Sequence, residues 1–166
     1  MRRLKLLFKT FFSEPVEPIP PSYNLAAVKK ELWEVLSIAP EEAKSVRQAV
    51  VAGDIDGGYY IGECCCIKGI IAAKLGIPVK NLEAAYGIGL NQRSSLENFL
   101  FNIVEGDTPE SSAFSRALLE WCDEFIAEQK ALKLRRAVEA DLEEVLASVM
   151  PESPEQAVPD RTLTSL

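Results

Sequence analysis

The chain has 166 residues, 48% of them apolar, four cysteines, no histidine and a formal net charge of −7. That length suits one ordinary domain with tails, and the apolar share is enough to build a core. The acidic balance argues against a nucleic-acid partner, because phosphate contacts need a basic face. The missing histidine removes the commonest general base.

Residues 1–12 place Arg2, Arg3, Lys5 and Lys9 among Leu4, Leu6, Leu7, Phe8, Phe11 and Phe12. This is a basic amphipathic arm, read either as an anchor for a membrane surface or a partner or, since so short a helix is marginal alone, as a disordered or loosely docked terminus. Lys5 and Lys9 interrupt the apolar run that a secretory signal requires. No stretch approaches the roughly 18 apolar residues of a membrane span. A cytoplasmic location with reduced cysteines is therefore expected. Residues 13–22 hold four prolines, which fix φ and lack the amide hydrogen, so they are expected to form an extended linker.

A helical core domain is expected over residues 23–130. Leu25, Val28, Leu32, Val35 and Leu36 recur at helical spacing, with Trp33 beside them. Pro40 suits the first turn of a second helix that ends near Ala52, and "GDIDGG" stops it. Its aspartates do not make an EF-type calcium loop, because Tyr59 and Cys65 fall where glycine and glutamate belong. A third helix is expected from Glu63 to Leu75, with Gly76 and Pro78 as its stop. "YGIGLNQ" has two glycines, too few for a dinucleotide loop. A further helix from about Ser94 should turn Leu96, Phe99, Leu100, Ile103 and Val104 to the core. Thr108 and Pro109 should then start the last and longest helix.

In that last helix Phe114, Leu118, Trp121, Phe125 and Leu132 form one stripe. Leu134, Val138, Leu142, Val145 and Val149 form another in a shifted phase. The change near Lys130–Lys133 predicts a kink or a handover to a separate C-terminal helix over residues 131–150. The second stripe resembles a coiled-coil seam two heptads long. Packing on the chain's own core is the competing account. Lys130, Lys133, Arg135 and Arg136 are placed to pair with the acidic residues around them. Residues 151–166 form a polar, proline-containing tail of disordered composition.

The cysteines of "GECCCIKG" admit three readings. A zinc site wants about four ligands, usually in spaced pairs; a helix would turn Cys64 and Cys66 roughly 200° apart, whereas a strand would set them on one face and leave the metal option open. A redox pair wants a spaced dithiol with an exposed, acidified thiol, and none is present. On a helical wheel, Cys65, Cys66, Gly69, Ala72 and Ala73 make a small-residue seam. Cys64, Ile67, Ile71 and Leu75 make a larger apolar face. Packing accounts for the most residues, since free cysteine behaves as a small buried hydrophobe. Only Glu63, Lys68 and Lys74 would then need solvent or partners. The alternative is a thiol-redox or soft-metal site built from Cys64, Cys66 and Cys122.

The run Tyr60-Ile61-Gly62-Glu63-Cys64-Cys65-Cys66-Ile67-Lys68-Gly69-Ile70-Ile71-Ala72, followed by Gly106-Asp107-Thr108-Pro109-Glu110 and an aromatic helix, resembles an uncharacterised family of small bacterial and phage-encoded proteins. The pattern of that family is Y-x-G-E-C-x-C-L-x-G-T-I-A followed by G-D-T-P-E. The resemblance covers about residues 40–130 and departs from the pattern at Cys65, Ile67 and Ile70. It implies a helical fold and a phage or virion context, but no reaction.

The sequence thus predicts a mainly α protein, a single compact domain of five to six helices with flexible termini. Its expected function is non-enzymatic, without cofactor or metal. Contact with a protein partner or a second copy would run through Leu134, Val138, Leu142, Val145 and Val149. A membrane-surface adaptor role through residues 1–12 is a third reading.

Overall fold

A computed structural model describes residues 16–57, 66–87 and 94–149. The protein is mainly α, and no strand occurs among the described residues. The helices are α1 (Leu25–Leu36), α2 (Ala43–Ala52), α3 (Ile67–Leu75), α4 (Leu82–Tyr86), α5 (Ser95–Leu100) and α6 (Ala113–Val149). Short 3-10 turns, Pro40–Glu42 and Val79–Asn81, lead into α2 and α4. The chain divides into two compact units, Met1–Gln129 and Lys130–Leu166, and α6 contributes to both. The arm of residues 1–12, Cys64, Cys65, most of "YGIGLNQ" and the tail 151–166 lie outside the described residues.

In the first unit, α1 starts where the Asn24 side chain accepts the Ala27 amide at 3.1 Å. Its buried residues are Val28, Leu32, Val35 and Leu36, the stripe expected from the spacing. Helix α2 buries Ala43, Val46 and Val50 and ends on Gly53, whose φ of 76° is the left-handed conformation glycine adopts cheaply.

Residues beyond α2 then run beside those beyond α5. Gly57 donates its amide to the Ile103 carbonyl at 2.9 Å, and Gly106 donates to the Gly53 carbonyl at 2.8 Å. The approach is close enough that a Cβ on Gly57 would sit 1.6 Å from the Leu100 carbonyl oxygen.

Three element boundaries differ from expectation. Helix α3 begins at Ile67, because Cys66 is extended (φ −77°, ψ 163°) and acts as the N-cap. Its Sγ accepts the Gly69 amide at 3.3 Å. Helix α5 stops at Leu100. The Asn102 side chain turns back to the carbonyls of Asn98 and Phe99, satisfying groups that would otherwise continue the helix. Ile103 is buried, as expected, but Val104 is 58% exposed. Thr108 and Pro109 form a turn of their own, with Ser111 and Ser112 donating to the Thr108 carbonyl. It is Ser112 that caps α6, accepting the Ser115 amide at 3.3 Å.

The core of this unit joins α1, α2, α3 and α5 to the first half of α6. Leu118, Cys122 and Phe125 pack with Leu32, Leu36, Val46, Ile71 and Phe99. Aromatic rings meet edge-on or tilted. Phe99 lies 5.0 Å from Phe114 and 5.2 Å from Trp121, and Trp33 lies 5.6 Å from Phe125. Polar contacts tie the early helices to α6. Trp33 Nε1 donates to the Trp121 carbonyl at 3.2 Å, Arg47 Nε donates to Asp123 at 2.5 Å, and Lys29 pairs with Glu124.

The expected handover to a separate helix near Lys130–Lys133 does not occur, since α6 is assigned as one helix of 37 residues. The phase change instead coincides with the boundary between the units. Up to Phe125 the apolar positions are buried or half-buried, whereas every residue from Lys130 to Ser148 is exposed.

Candidate functional site

On the second half of α6, Leu134, Val138, Leu142 and Val145 step by four, four and three residues. At about 100° per residue this keeps them within roughly 40° of one line. They are 66%, 58%, 58% and 56% exposed, and Leu146 at the edge of the line is 54% exposed. Val149 is the last residue of the helix. The side chains of a folded chain usually find such a line a partner, since scattered apolar residues are ordinary on a surface but an aligned set is not.

The charges on this segment are segregated by position along the helix. Lys130, Lys133, Arg135 and Arg136 come first, and Glu139, Asp141, Glu143 and Glu144 follow, with no residue of the other sign in either block. The expected pairing between them is absent. Among the described residues, the salt bridges are Lys29–Glu124, Lys30–Glu34, Arg47–Asp123, Lys68–Glu97 and Lys74–Glu42, none of which involves this segment. The order is also the weaker one for pairs within a helix, where the acid is better placed before the base.

The cysteines do not form the set considered from sequence. Cys66 is disulfide-bonded, which corrects the expectation that the cysteines are reduced and removes this sulfur as a thiolate ligand. Cys122 is free and buried in the core, where desolvation pushes its thiol up to about 12 and the nearby Asp123 adds to the effect. It therefore stays a neutral thiol at physiological pH and behaves as a small apolar side chain. No cluster of three or more metal-ligating side chains occurs among the described residues. Of the small-residue seam, Gly69 and Ala72 are buried on α3, Ala73 is exposed, and Cys66 is buried as the cap that precedes the helix.

Lys68, expected to need solvent or a partner, takes the partner. It is 3% exposed and donates to Glu97 at 2.5 Å. The two side chains are only 4% and 5% exposed. Lys68 stands one turn from the Cys66 cap and Glu97 one turn from the Ser94 cap, so the pair joins the starts of α3 and α5. Beside it, both Glu31 carboxylate oxygens accept α5 amides, from Ser95 at 3.2 Å and Leu96 at 2.8 Å. A cleft of about 270 Å³ opens there, lined by Glu31, Val35, Ile38, Lys68, Tyr86 and Ser94. Its carboxylates are occupied by the fold, which makes it a structural junction. A lone Lys in "CIKGI" gave no sign of burial, because the partner that permits it lies 29 residues away.

No helix of the described residues is long and apolar enough to cross a membrane. Comparison with protein-family models, curated proteins and solved structures gives no match to this chain.

Proposed function

We propose that the protein is a non-enzymatic docking protein that binds another protein helix along the second half of α6. The observation that carries this reading is the exposed line of Leu134, Val138, Leu142 and Val145, about 16 Å long at 1.5 Å per residue. Helix-in-groove and helix-on-helix recognition both read anchors at this spacing. The segregated charges beside the line supply orientation and selectivity. The resemblance carried by Tyr60–Ala72 and Gly106–Glu110 supports a phage or prophage accessory role, virion association included.

Photo-crosslinking in cells that make the protein tests the docking reading. A benzophenone side chain at position 142, on the line, should give one reproducible protein adduct. The same group at position 140, on the opposite face, should not. Equal labelling from both positions, or none from either, would rule out the docking face.

A further inference from the structure

We infer that the partner of the α6 face is a second copy of this chain, bound antiparallel about a two-fold axis at Val138. This deepens the docking reading and rests on it. The charge order selects both the partner and its direction. The basic block ends at Arg136 and the acidic block begins at Glu139, so the midpoint between them falls beside Val138, at the centre of the apolar line.

Reversing a second helix about that point lays each basic block along the other copy's acidic block. Leu134 then meets Leu142 of the other copy, Val138 meets its own counterpart, and Ala131 meets Val145. Helical geometry places the charges consistently on both flanks. Taking Val138 as zero at 100° per residue, Arg135 and Glu139 fall about 60° and 100° to one side. Lys130 and Glu144 fall about 80° and 120° to the other. A perpendicular two-fold axis keeps each flank against the same flank of the other copy. Arg135 therefore faces Glu139, and Lys130 faces Glu144, each about 3 Å apart along the axis.

A parallel pair would do the reverse. With the two-fold axis along the helices, Arg135 would lie against Lys130 and Lys133, and Glu139 against Asp141 and Glu144. Like charges would face each other along the whole length, which disfavours that arrangement.

Two further observations agree. None of the eight charges is spent on an ion pair within the described residues, so all are available across an interface. The area is also adequate for a weak dimer. Five large apolar side chains a little over half exposed offer on the order of 300–500 Å² per chain, or about 600–1,000 Å² for two copies. That is below the roughly 1,200 Å² of stable interfaces and implies a weak dimer that dissociates on dilution.

Sedimentation of the full-length chain over a concentration series tests the proposal, with circular dichroism confirming that each variant is folded. The unaltered chain should dimerise, and more weakly at high salt. K130E/R135E makes the facing flank positions acidic in both blocks, and E139K/E144K makes them basic in both. Each should weaken the dimer at least about tenfold. The quadruple variant K130E/R135E/E139K/E144K exchanges the signs of the facing flank pairs and should restore the dimer to within about threefold. A monomer at every concentration overturns the proposal, as does a quadruple variant no better than the doubles. The crosslink at position 142 separates the two failures. A hetero-adduct with a monomeric pure chain sinks self-pairing but leaves the docking reading standing, whereas no adduct at all sinks both.

Discussion

Replacing Lys68 by methionine is expected to destabilise the first unit severely, and replacing Glu97 in the same molecule should recover much of the loss. The reasoning starts from burial. Both side chains are about 95% removed from water and meet at 2.5 Å, so each charge relies on protein partners, the other among them, in place of its hydration shell. K68M removes the Lys68 cation from beside the buried Glu97 carboxylate. Stranding one partner of a buried pair costs about 3–5 kcal/mol. For a unit of this size, that loss lowers the melting temperature by roughly 10–20 °C. K68M/E97L replaces both charges with apolar groups of similar shape, and such exchanges range from neutral to stabilising. Urea unfolding of the unaltered chain, K68M, E97L and K68M/E97L, followed by circular dichroism, gives the full cycle. The double variant should be at least about 2 kcal/mol more stable than the sum of the single losses predicts. Single losses below about 1 kcal/mol, or strictly additive effects, would refute the claim that the pair is desolvated.

Other expectations follow from the same geometry. Gly57→Ala should cost more than about 3 kcal/mol by urea unfolding, because its Cβ would overlap the Leu100 carbonyl oxygen and the backbone must separate. Glu31→Ala should cost about 1–2 kcal/mol in the same assay, since two α5 amides lose a charged acceptor. Cys122 should resist alkylation at pH 8 in the folded protein and react promptly in denaturant. Its thiol ionises near 9 when exposed and at about 12 when folded, so folding favours the protonated form. Stability should therefore be unaffected by this group below pH 9 and fall by about 1.4 kcal/mol per pH unit as pH rises from 9 towards 12. Cys122→Ala should flatten that slope.

The residues whose fate depends on local order behaved as their sequence suggests. The α1 stripe, the Pro40 entry and the Gly53 stop each follow from spacing or backbone preference within a few residues. Features set by distant residues are not legible locally. Lys68 is buried because Glu97 is there, and α5 ends early because Asn102 reaches its carbonyls beside the strand-like path of residues 53–57. The α6 line was legible as a periodic pattern, and its change of phase was visible near Lys130. Whether that change meant a bend or a transition from buried to exposed positions was not, since the hydrophobic period is the same for a buried face and an uncovered one.

The pairing of α1 and α2 with α6 has a consequence for how the chain is made. Trp33 and Trp121 are 88 residues apart, Lys29 and Glu124 are 95, and Arg47 and Asp123 are 76. During synthesis the N-terminal helices have no α6 to cover their apolar faces until almost the whole first unit has been translated. Closing contacts of such long separation is slow, and the uncovered faces are prone to aggregate meanwhile. Nascent chains arrested before residue 118 should therefore be chaperone clients, and release from the chaperone should come only once Leu118, Trp121 and Phe125 have emerged.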